Sequence, residues 1–249
     1  MRGAQHDVCG CFPTGRHYPG IADLMDEDQA PIEGLVADFE AARPWHELPI
    51  AVLDFETTGF EQTDRVVEVG LVCFQAGEQT AKHNWLVNPG MPIPEGAMKV
   101  HGITDEMVKD EPRFEEIAEE LAGLLQGHLP VAYNAAFDRR FLHAEMARVP
   151  GLQARPPALE DDVVWIDPLV WARELQKQEA RHRLVDVCAR MGIALDDAHR
   201  AWADAEATGH VLNGLASEMP TSYGDLIRFQ QRYGAEQEAQ LAARRNRRR

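Results

Sequence analysis

The sequence is poor in cysteine, has no long apolar run and carries fewer basic than acidic residues. Four cysteines among 249 residues are too few for the disulfide framework of a small secreted scaffold. No stretch approaches the length of a membrane span, about 18 to 20 apolar residues, and residues 1–30 lack the apolar core of a signal peptide. These absences exclude disulfide-rich and membrane-spanning classes and predict a globular, cytoplasmic protein with no membrane partner.

Charge is distributed unevenly along the chain. The 41 acidic and 25 basic residues give a formal net charge of -16, which argues against nonspecific binding of nucleic acid over the whole surface. Residues 1–48 are acidic, with scattered glycine and proline, and we interpret them as a partly disordered leader with one short helix near residues 33–42. Residues 218–249 are interpreted as a helical, basic C-terminal tail, since 228–249 hold seven arginines and two glutamates.

The central residues 49–217 have the patterns of strands followed by helices. Apolar, β-branched runs predict strands, and apolar residues spaced by three and four predict amphipathic helices. The predicted strands are Ile50–Phe55, Arg65–Phe74, Lys82–Val87 and His128–Tyr133, and the predicted helices are Phe114–Leu125, Phe137–Val149, Val163–Gln176, Arg183–Arg190 and Ala201–Glu218. This order predicts an α/β fold with a mixed sheet flanked by helices.

Two carboxylates interrupt the otherwise apolar first strand. Asp54 and Glu56 stand two residues apart, so both project from one strand face, which also carries Val52. Two anions at the edge of a core raise each other's pKa unless a cation lies between them. The pair therefore indicates a divalent metal site, although a solvated strand face is the alternative and the pattern alone is a weak signal.

Two further segments place polar side chains at helix starts. In the segment 134–138 (NAAFD), Asn134 is the expected N-cap and Asp138 lies in the first turns. Further along, His199 and Asp204 lead into an alanine-rich helix. Residues five apart differ by about 140° around a helix axis, so we expect His199 at the helix entrance, beside Asp204 rather than on the same face.

These segments together resemble the DnaQ-like 3′–5′ exonucleases of the DEDDh subgroup, a family that includes the proofreading subunits of bacterial DNA polymerase III. The matching motifs are DFETTG (54–59), VHGITDEMV (100–108), NAAFDRRFL (134–142) and HRAWADAEAT (199–208). They occur in the family's order over residues 49–216. The resemblance implies a ribonuclease H-like fold and makes 49–217 the predicted exonuclease domain.

The resemblance also implies roles for five residues. The expected metal ligands are Asp54, Glu56, Asp138 and Asp204, and the expected general base is His199; all five are predicted to be catalytic. Ligands that are all oxygen select Mg²⁺ or Mn²⁺ over zinc, and two such ions suit the hydrolysis of a phosphodiester by water. A neutral imidazole can accept the proton of that water near neutral pH.

Substrate contacts are expected in the loops that the resemblance places beside the site. The predicted substrate-binding residues are Thr57, Thr58, Gly59, Phe60, His101, Ile103 and Asn134. Phe60 would serve as a stacking platform for a base. Two alternatives stay open here: Thr58 and Gly59 also suit a strand-ending turn, and Ile103 suits the core.

Three other polar or aromatic residues have mainly structural interpretations. Glu68 lies in the second predicted strand and either supports the metal ligands or has a purely structural role. Asp167 and Trp171 are expected to cap a helix and to anchor it in the core.

The function that the resemblance implies is removal of nucleoside 5′-monophosphates from single-stranded or mismatched DNA 3′ ends, in proofreading or repair, with a polymerase as a possible partner. An exoribonuclease that trims RNA ends is one alternative. A non-catalytic, polymerase-binding subunit with the same fold is another, against which the complete set of five residues argues. No convincing clamp-binding peptide of the Gln-x-x-Leu-Phe kind follows Ala216.

Overall fold

The computed structural model describes residues 31–61 and 63–246. Most of the predicted leader therefore lies outside the described residues. The strands are β1 (Ile50–Thr57), β2 (Val66–Gln75), β3 (Glu78–Leu86) and β4 (Leu129–Val131). The helices are α1 (Glu95–His101), α2 (Asp105–Val108), α3 (Phe114–Leu125), α4 (Ala136–Met146), α5 (Pro168–Leu175), α6 (Leu184–Met191), α7 (Ala201–Leu215) and α8 (Tyr223–Asn246).

The four strands form one mixed sheet in the order β3-β2-β1-β4. β1 pairs antiparallel with β2, β2 pairs antiparallel with β3, and β4 runs parallel to β1. β2 is buried at every position except its last residue, as expected for a central strand covered on both faces. The predicted α/β architecture is confirmed.

The alternation of side chains along β1 divides the core into two layers. Val52 and Val72 belong to the cluster that α7 and α8 complete, whereas Leu53 and Leu71 belong to the cluster that α3 and α4 complete. Asp54 continues the Val52 face because the side-chain period of a strand is two. The acidic pair on β1 is therefore directed toward the α7 layer, as the sequence predicts.

Two glycines allow α7 to lie directly on the sheet. A Cβ atom on Gly70 of β2 would overlap the backbone of Ala201, and a Cβ atom on Gly209 of α7 would overlap the ring of Phe74. Gly70 is also the cross-strand partner of Asp54. The close approach at Gly70 thus brings the start of α7 over the acidic part of β1.

One predicted helix is wrong, and other bounds differ. Residues 33–42 form turns rather than a helix; Gly34 has a φ of 91°, and the Val36 N–H donates to the Tyr223 hydroxyl at 3.0 Å. The helix predicted from Val163 begins at Pro168, because Ile166 is extended and bridges β4. The short helices α1 and α2 are additional findings, and β3 begins four residues earlier than predicted.

The first half of α8 belongs to the same core as the sheet. Tyr223, Leu226 and Ile227 are buried in the α7-side cluster, together with Trp45 from the segment before β1. Residues 238–246 of the helix are exposed. Over residues 31–61 and 63–246, no helix has the length and apolar character needed to span a membrane.

Candidate active site

At its C-terminal end, β1 is not paired with β4, and a carboxylate accepts a hydrogen bond from the backbone there. In the described chain β4 pairs with Ile50–Val52 and no further. The Phe55 N–H, beyond that limit, donates to Oδ1 of Asp138 at 3.1 Å. Asp138, which is 2% exposed, is thereby held at the end of β1 that carries Asp54 and Glu56.

The start of α4 is fixed by a buried carboxylate from another segment. Asp167 accepts the Asn134 N–H at 3.0 Å and the Ala135 N–H at 3.1 Å. It also caps α5 by accepting the Leu169 N–H at 2.9 Å, as predicted. The N-cap assigned to Asn134 is wrong: Ala135 is the N-cap, and Asn134 has a φ of 66°, a left-handed conformation that asparagine tolerates.

The start of α7 is fixed by an ion pair. Glu68, wholly buried, accepts the Ala201 N–H at 3.0 Å and the Arg200 Nη2–H at 2.6 Å. Glu68 is the cross-strand partner of Glu56. It therefore ties the first residue of α7 to the acidic end of β1, a structural role that the sequence left open.

His199 and Asp204 lie beside each other at the start of α7. His199 is exposed and has a φ of 68°, two residues before the helix begins. One ligand atom from each of Glu56, His199 and Asp204 lies within 4.8 Å of the other two. The arrangement predicted from the five-residue spacing is the one found.

The electrostatics of the site show an excess of negative charge. Burial raises the pKa of Asp54 well above its usual range, and the charges of Asp138, Asp204 and Glu56 raise it further. Burial likewise raises the pKa of Asp138, although the Phe55 N–H opposes this shift. Each carboxylate thus resists ionisation while its neighbours are charged.

The other two carboxylates show the same effect with smaller shifts. Burial, followed by the charge of Asp204, raises the pKa of Glu56 to about 8. Burial raises the pKa of Asp204 to about 6, against the opposing influence of His199. Within the described residues, Oδ1 of Asp204 is buried and has no hydrogen-bond partner.

These features fit a divalent cation. The donors are carboxylate oxygens, which hard cations prefer. A cation at this position would relieve the mutual repulsion of Asp54 and its three neighbours and would give the Asp204 oxygen a partner. The residues present therefore suit a divalent metal site.

The loop after β1 uses its hydroxyl groups internally. The Thr57 hydroxyl donates to the Gly59 carbonyl at 2.7 Å, and the Thr58 hydroxyl donates to Asp64 at 2.9 Å. Phe60 is 76% exposed, and its carbonyl accepts a hydrogen bond from Arg140 at 2.8 Å. Thr58 and Gly59 thus lie in the turn that ends β1, and Phe60 presents its ring to solvent; the substrate-binding role expected of this loop stays a prediction.

The His-Gly-Ile segment packs inward. Ile103 is wholly buried in a small cluster with Val67 and Ile93. The His101 Nδ1 accepts the Ile103 N–H at 3.0 Å, and burial lowers the pKa of His101. The Ile103 side chain therefore belongs to the core, as its alternative interpretation had it, and it offers no surface to a base.

Sequence reasoning missed the supports of the site. Gln230 accepts the Asp167 N–H at 2.9 Å, and Arg200 pairs with Glu68. A signal for Gln230 existed: it follows Tyr223, Leu226 and Ile227 at helical spacing, so it is a polar residue on an apolar stripe.

Known proteins resemble this chain in sequence. A model of the family described as "Exonuclease" matches residues 51–212. The PolC-type DNA polymerase III of Thermotoga petrophila is 32% identical over 181 residues, which cover 72% of this chain and 13% of that protein. The chain thus spans about one eighth of the length of this curated relative.

Solved structures share the fold. Exonuclease X in complex with 5′-overhanging duplex DNA has a TM-score of 0.56 at 24% identity, covering 73% of this chain and 99% of that one. The zinc-bound complex of Escherichia coli exonuclease I with single-stranded DNA has a TM-score of 0.60 at 19% identity, covering 70% and 41% of the two chains.

The mixed sheet and the four carboxylates gathered at the end of β1 suit a nuclease that depends on divalent cations. The chain belongs to the exonuclease family that residues 51–212 match, and this domain is similar in sequence to part of the PolC-type DNA polymerase III.

Proposed function

We propose that the protein removes nucleoside 5′-monophosphates from the 3′ ends of DNA, single-stranded or mismatched, using two Mg²⁺ or Mn²⁺ ions. The observation that carries this proposal is the convergence of five groups at the end of β1. Asp54 is influenced by the charges of Glu56, Asp138 and Asp204, and His199 lies within reach of two of them. This set suits hydrolysis of a phosphodiester, because it provides both cation ligands and a proton acceptor.

The four carboxylates would hold the ions, with Asp54 at the centre of the group. Bound divalent ions lower the pKa of water and neutralise charge on a phosphate that is being cleaved. Asp138 contributes a carboxylate that Phe55 orients, and Asp204 contributes one whose Oδ1 has no competing partner among the described residues. Glu56 completes the set on the strand.

His199 would take the proton from the attacking water on a ring nitrogen. It is exposed, so water reaches it, and it stands beside Asp204. The histidine then releases the proton to solvent.

Phe60 would stack on a base near the 3′ end. Its ring is exposed and lies 6.0 Å from that of Phe137, which is near the start of α4. Arg140 holds the loop by donating to the Phe60 carbonyl. An exposed aromatic ring supported in this way suits sequence-tolerant stacking.

The polymerase relative makes proofreading or repair in the cytoplasm the proposed setting, with a polymerase as the proposed partner. DNA is the proposed substrate for the same reason.

The test compares single-stranded DNA, a mismatched primer and RNA, each labelled at the 5′ end, with Mg²⁺, Mn²⁺ or a chelator. We expect stepwise shortening from the 3′ end of DNA, mononucleotides with a 5′-phosphate as products, and loss of activity with chelator or in Asp54→Asn. Asp196→Asn, an exposed aspartate in the loop before α7, is the control and should keep its activity. Internal cleavage or an active Asp54→Asn variant would contradict the proposal, and faster RNA shortening would favour the exoribonuclease.

A further inference from the structure

Gln230 is a buried polar residue in a helix that the family match does not include. It is 5% exposed and lies on the inner face of α8, whereas the match ends at residue 212. Its neighbours at helical spacing, Tyr223, Leu226 and Ile227, are apolar core residues. An amide at such a position requires partners, because a buried polar group without a hydrogen bond destabilises the fold.

All the partners of Gln230 lie in one segment. Its Oε1 accepts the Asp167 N–H at 2.9 Å and the Trp171 Nε1–H at 3.1 Å. Its Nε2 donates to the Trp165 carbonyl at 2.8 Å. One side chain of α8 therefore fixes both the backbone and the indole around Asp167.

Asp167 passes this constraint to the start of α4. Its two carboxylate oxygens accept the N–H groups of Asn134 and Ala135. Asn134 has a left-handed backbone, a conformation that asparagine adopts less readily than glycine, and Asp167 supports this turn. The third residue of α4 is Asp138, which binds the Phe55 N–H of β1.

We propose that Gln230 is a positioning residue for the metal ligand Asp138. The path runs from Gln230 to Asp167, from Asp167 to the turn at Asn134, and from that turn through α4 to Asp138. The C-terminal helix is then part of the support of the active site, although it lies outside the family match. This inference rests on the proposed function, because it takes Asp138 as a ligand of the catalytic cation.

The chain offers a matched control on the same helix. Gln237 also reaches from α8 to the α5 region, where its Nε2 donates to the Val170 carbonyl at 3.0 Å. It has no described contact with Asp167. Replacement of Gln237 by methionine removes one tether of α8 but leaves the path to Asp138 intact.

The test measures Mn²⁺ binding to the full-length protein by titration calorimetry, and separately the Mn²⁺ concentration for half-maximal DNA hydrolysis. We expect Gln230→Met to raise the Mn²⁺ dissociation constant and the half-maximal Mn²⁺ concentration by about 3- to 10-fold. Asp167→Asn should raise the same two quantities by about 10-fold or more, in the range known for groups that orient metal ligands. Gln237→Met should leave both unchanged. Asp167→Asn is nearly isosteric, so it serves if Gln230→Met does not fold.

A double-mutant cycle distinguishes a shared path from general loosening. If both residues act on Asp138 through one path, the combined variant should show less than the product of the two single effects. Unchanged Mn²⁺ binding in both folded variants, or full multiplication of their effects, would overturn the positioning role. A parent protein that binds Mn²⁺ but does not shorten DNA would overturn the proposed function and leave the binding comparison decisive for Gln230.

Discussion

The starts of α4 and α7 each bring a carboxylate to the site. Both are preceded by a residue with a left-handed backbone, but different side chains stabilise the two turns. α4 begins two residues after Asn134, and α7 begins two residues after His199; the φ values are 66° and 68°. At α4 the support is Asp167, which accepts two backbone amides; at α7 it is Glu68, which accepts one backbone amide and also pairs with Arg200.

The difference corresponds to two chemical tasks. The α4 turn leads to Asp138, which is buried and bonded to the backbone of β1. The α7 turn contains His199, which is exposed. In the proposed function, one start fixes a metal ligand, whereas the other leaves a proton acceptor in contact with water.

The largest effect is expected from removing the fixed ligand. Asp138→Ala should lower the hydrolysis rate by about 10⁴-fold or more, as happens when one member of a unit that acts together is removed. In metal-free buffer the variant should unfold at the same or a higher temperature, because a clustered anion has been removed. Calorimetry with chelator, paired with a nuclease assay, measures both. An active variant would remove Asp138 from the metal site.

Replacement of His199, the exposed residue before α7, should affect the rate but not metal binding. His199→Ala should lower the rate at saturating substrate by about 10²- to 10⁴-fold while Mn²⁺ binding stays near normal. The rise of the parent's rate with pH, as imidazolium loses its proton, should disappear. Single-turnover rates between about pH 5.5 and 9 test this, with His46→Ala as the control on an exposed histidine before β1. A decrease smaller than about tenfold would exclude His199 as the base.

The pKa shifts predict how metal binding depends on pH. The pKa values of Glu56 (about 8) and Asp204 (about 6) lie above the ordinary ones, so the metal-free fold favours their protonated forms. The contribution that these two raised pKa values make to the free energy of unfolding is complete below about pH 4 and is lost as the pH rises through about 6 and 8. Mn²⁺ should therefore raise the unfolding temperature more at about pH 8.5 than at about pH 6. Equal stabilisation at both pH values would contradict these shifts.

A smaller effect is expected from disturbing the packing under α7. Gly70→Ala should destabilise the fold by about 1 to 3 kcal/mol and reduce activity, since its Cβ would press on Ala201. Gly123→Ala is the matched control, because its Cβ would meet no atom within 4 Å and alanine favours a helix by about 0.5 to 1 kcal/mol. Urea unfolding measures both. An unchanged free energy of unfolding in Gly70→Ala would show that α7 can move away from the sheet without loss of stability.

The smallest effect concerns the basic end of the chain, beyond both helix starts. Deleting residues 244–249 should weaken binding of single-stranded DNA and flatten its salt dependence, by a slope of about 0.7 for each phosphate that the tail no longer neutralises. Turnover at saturating substrate should stay the same. Binding isotherms at several salt concentrations measure this. An unchanged slope would mean that the tail does not touch the substrate.

The sequence predicts those features that local patterns determine. The alternation around Asp54 assigns its face, and the spacing between His199 and Asp204 assigns their positions at a helix entrance. The helix predicted near residues 33–42 is absent because tertiary contacts determine the conformation of this segment. One such contact is the hydrogen bond that the Val36 N–H donates to the Tyr223 hydroxyl. Support by Gln230 joins segments 63 residues apart, which no short-range pattern encodes.

The short pairing of β4 with β1 has a consequence for redesign of this domain. A longer β4 would complete the sheet, and such an extension is a usual way to make a mixed sheet more robust. It would also accept the hydrogen bond of the Phe55 N–H, which is now donated to Asp138. In the proposed function, the metal site lies where the pairing of β4 with β1 ends, so a longer β4 would displace one of its ligands.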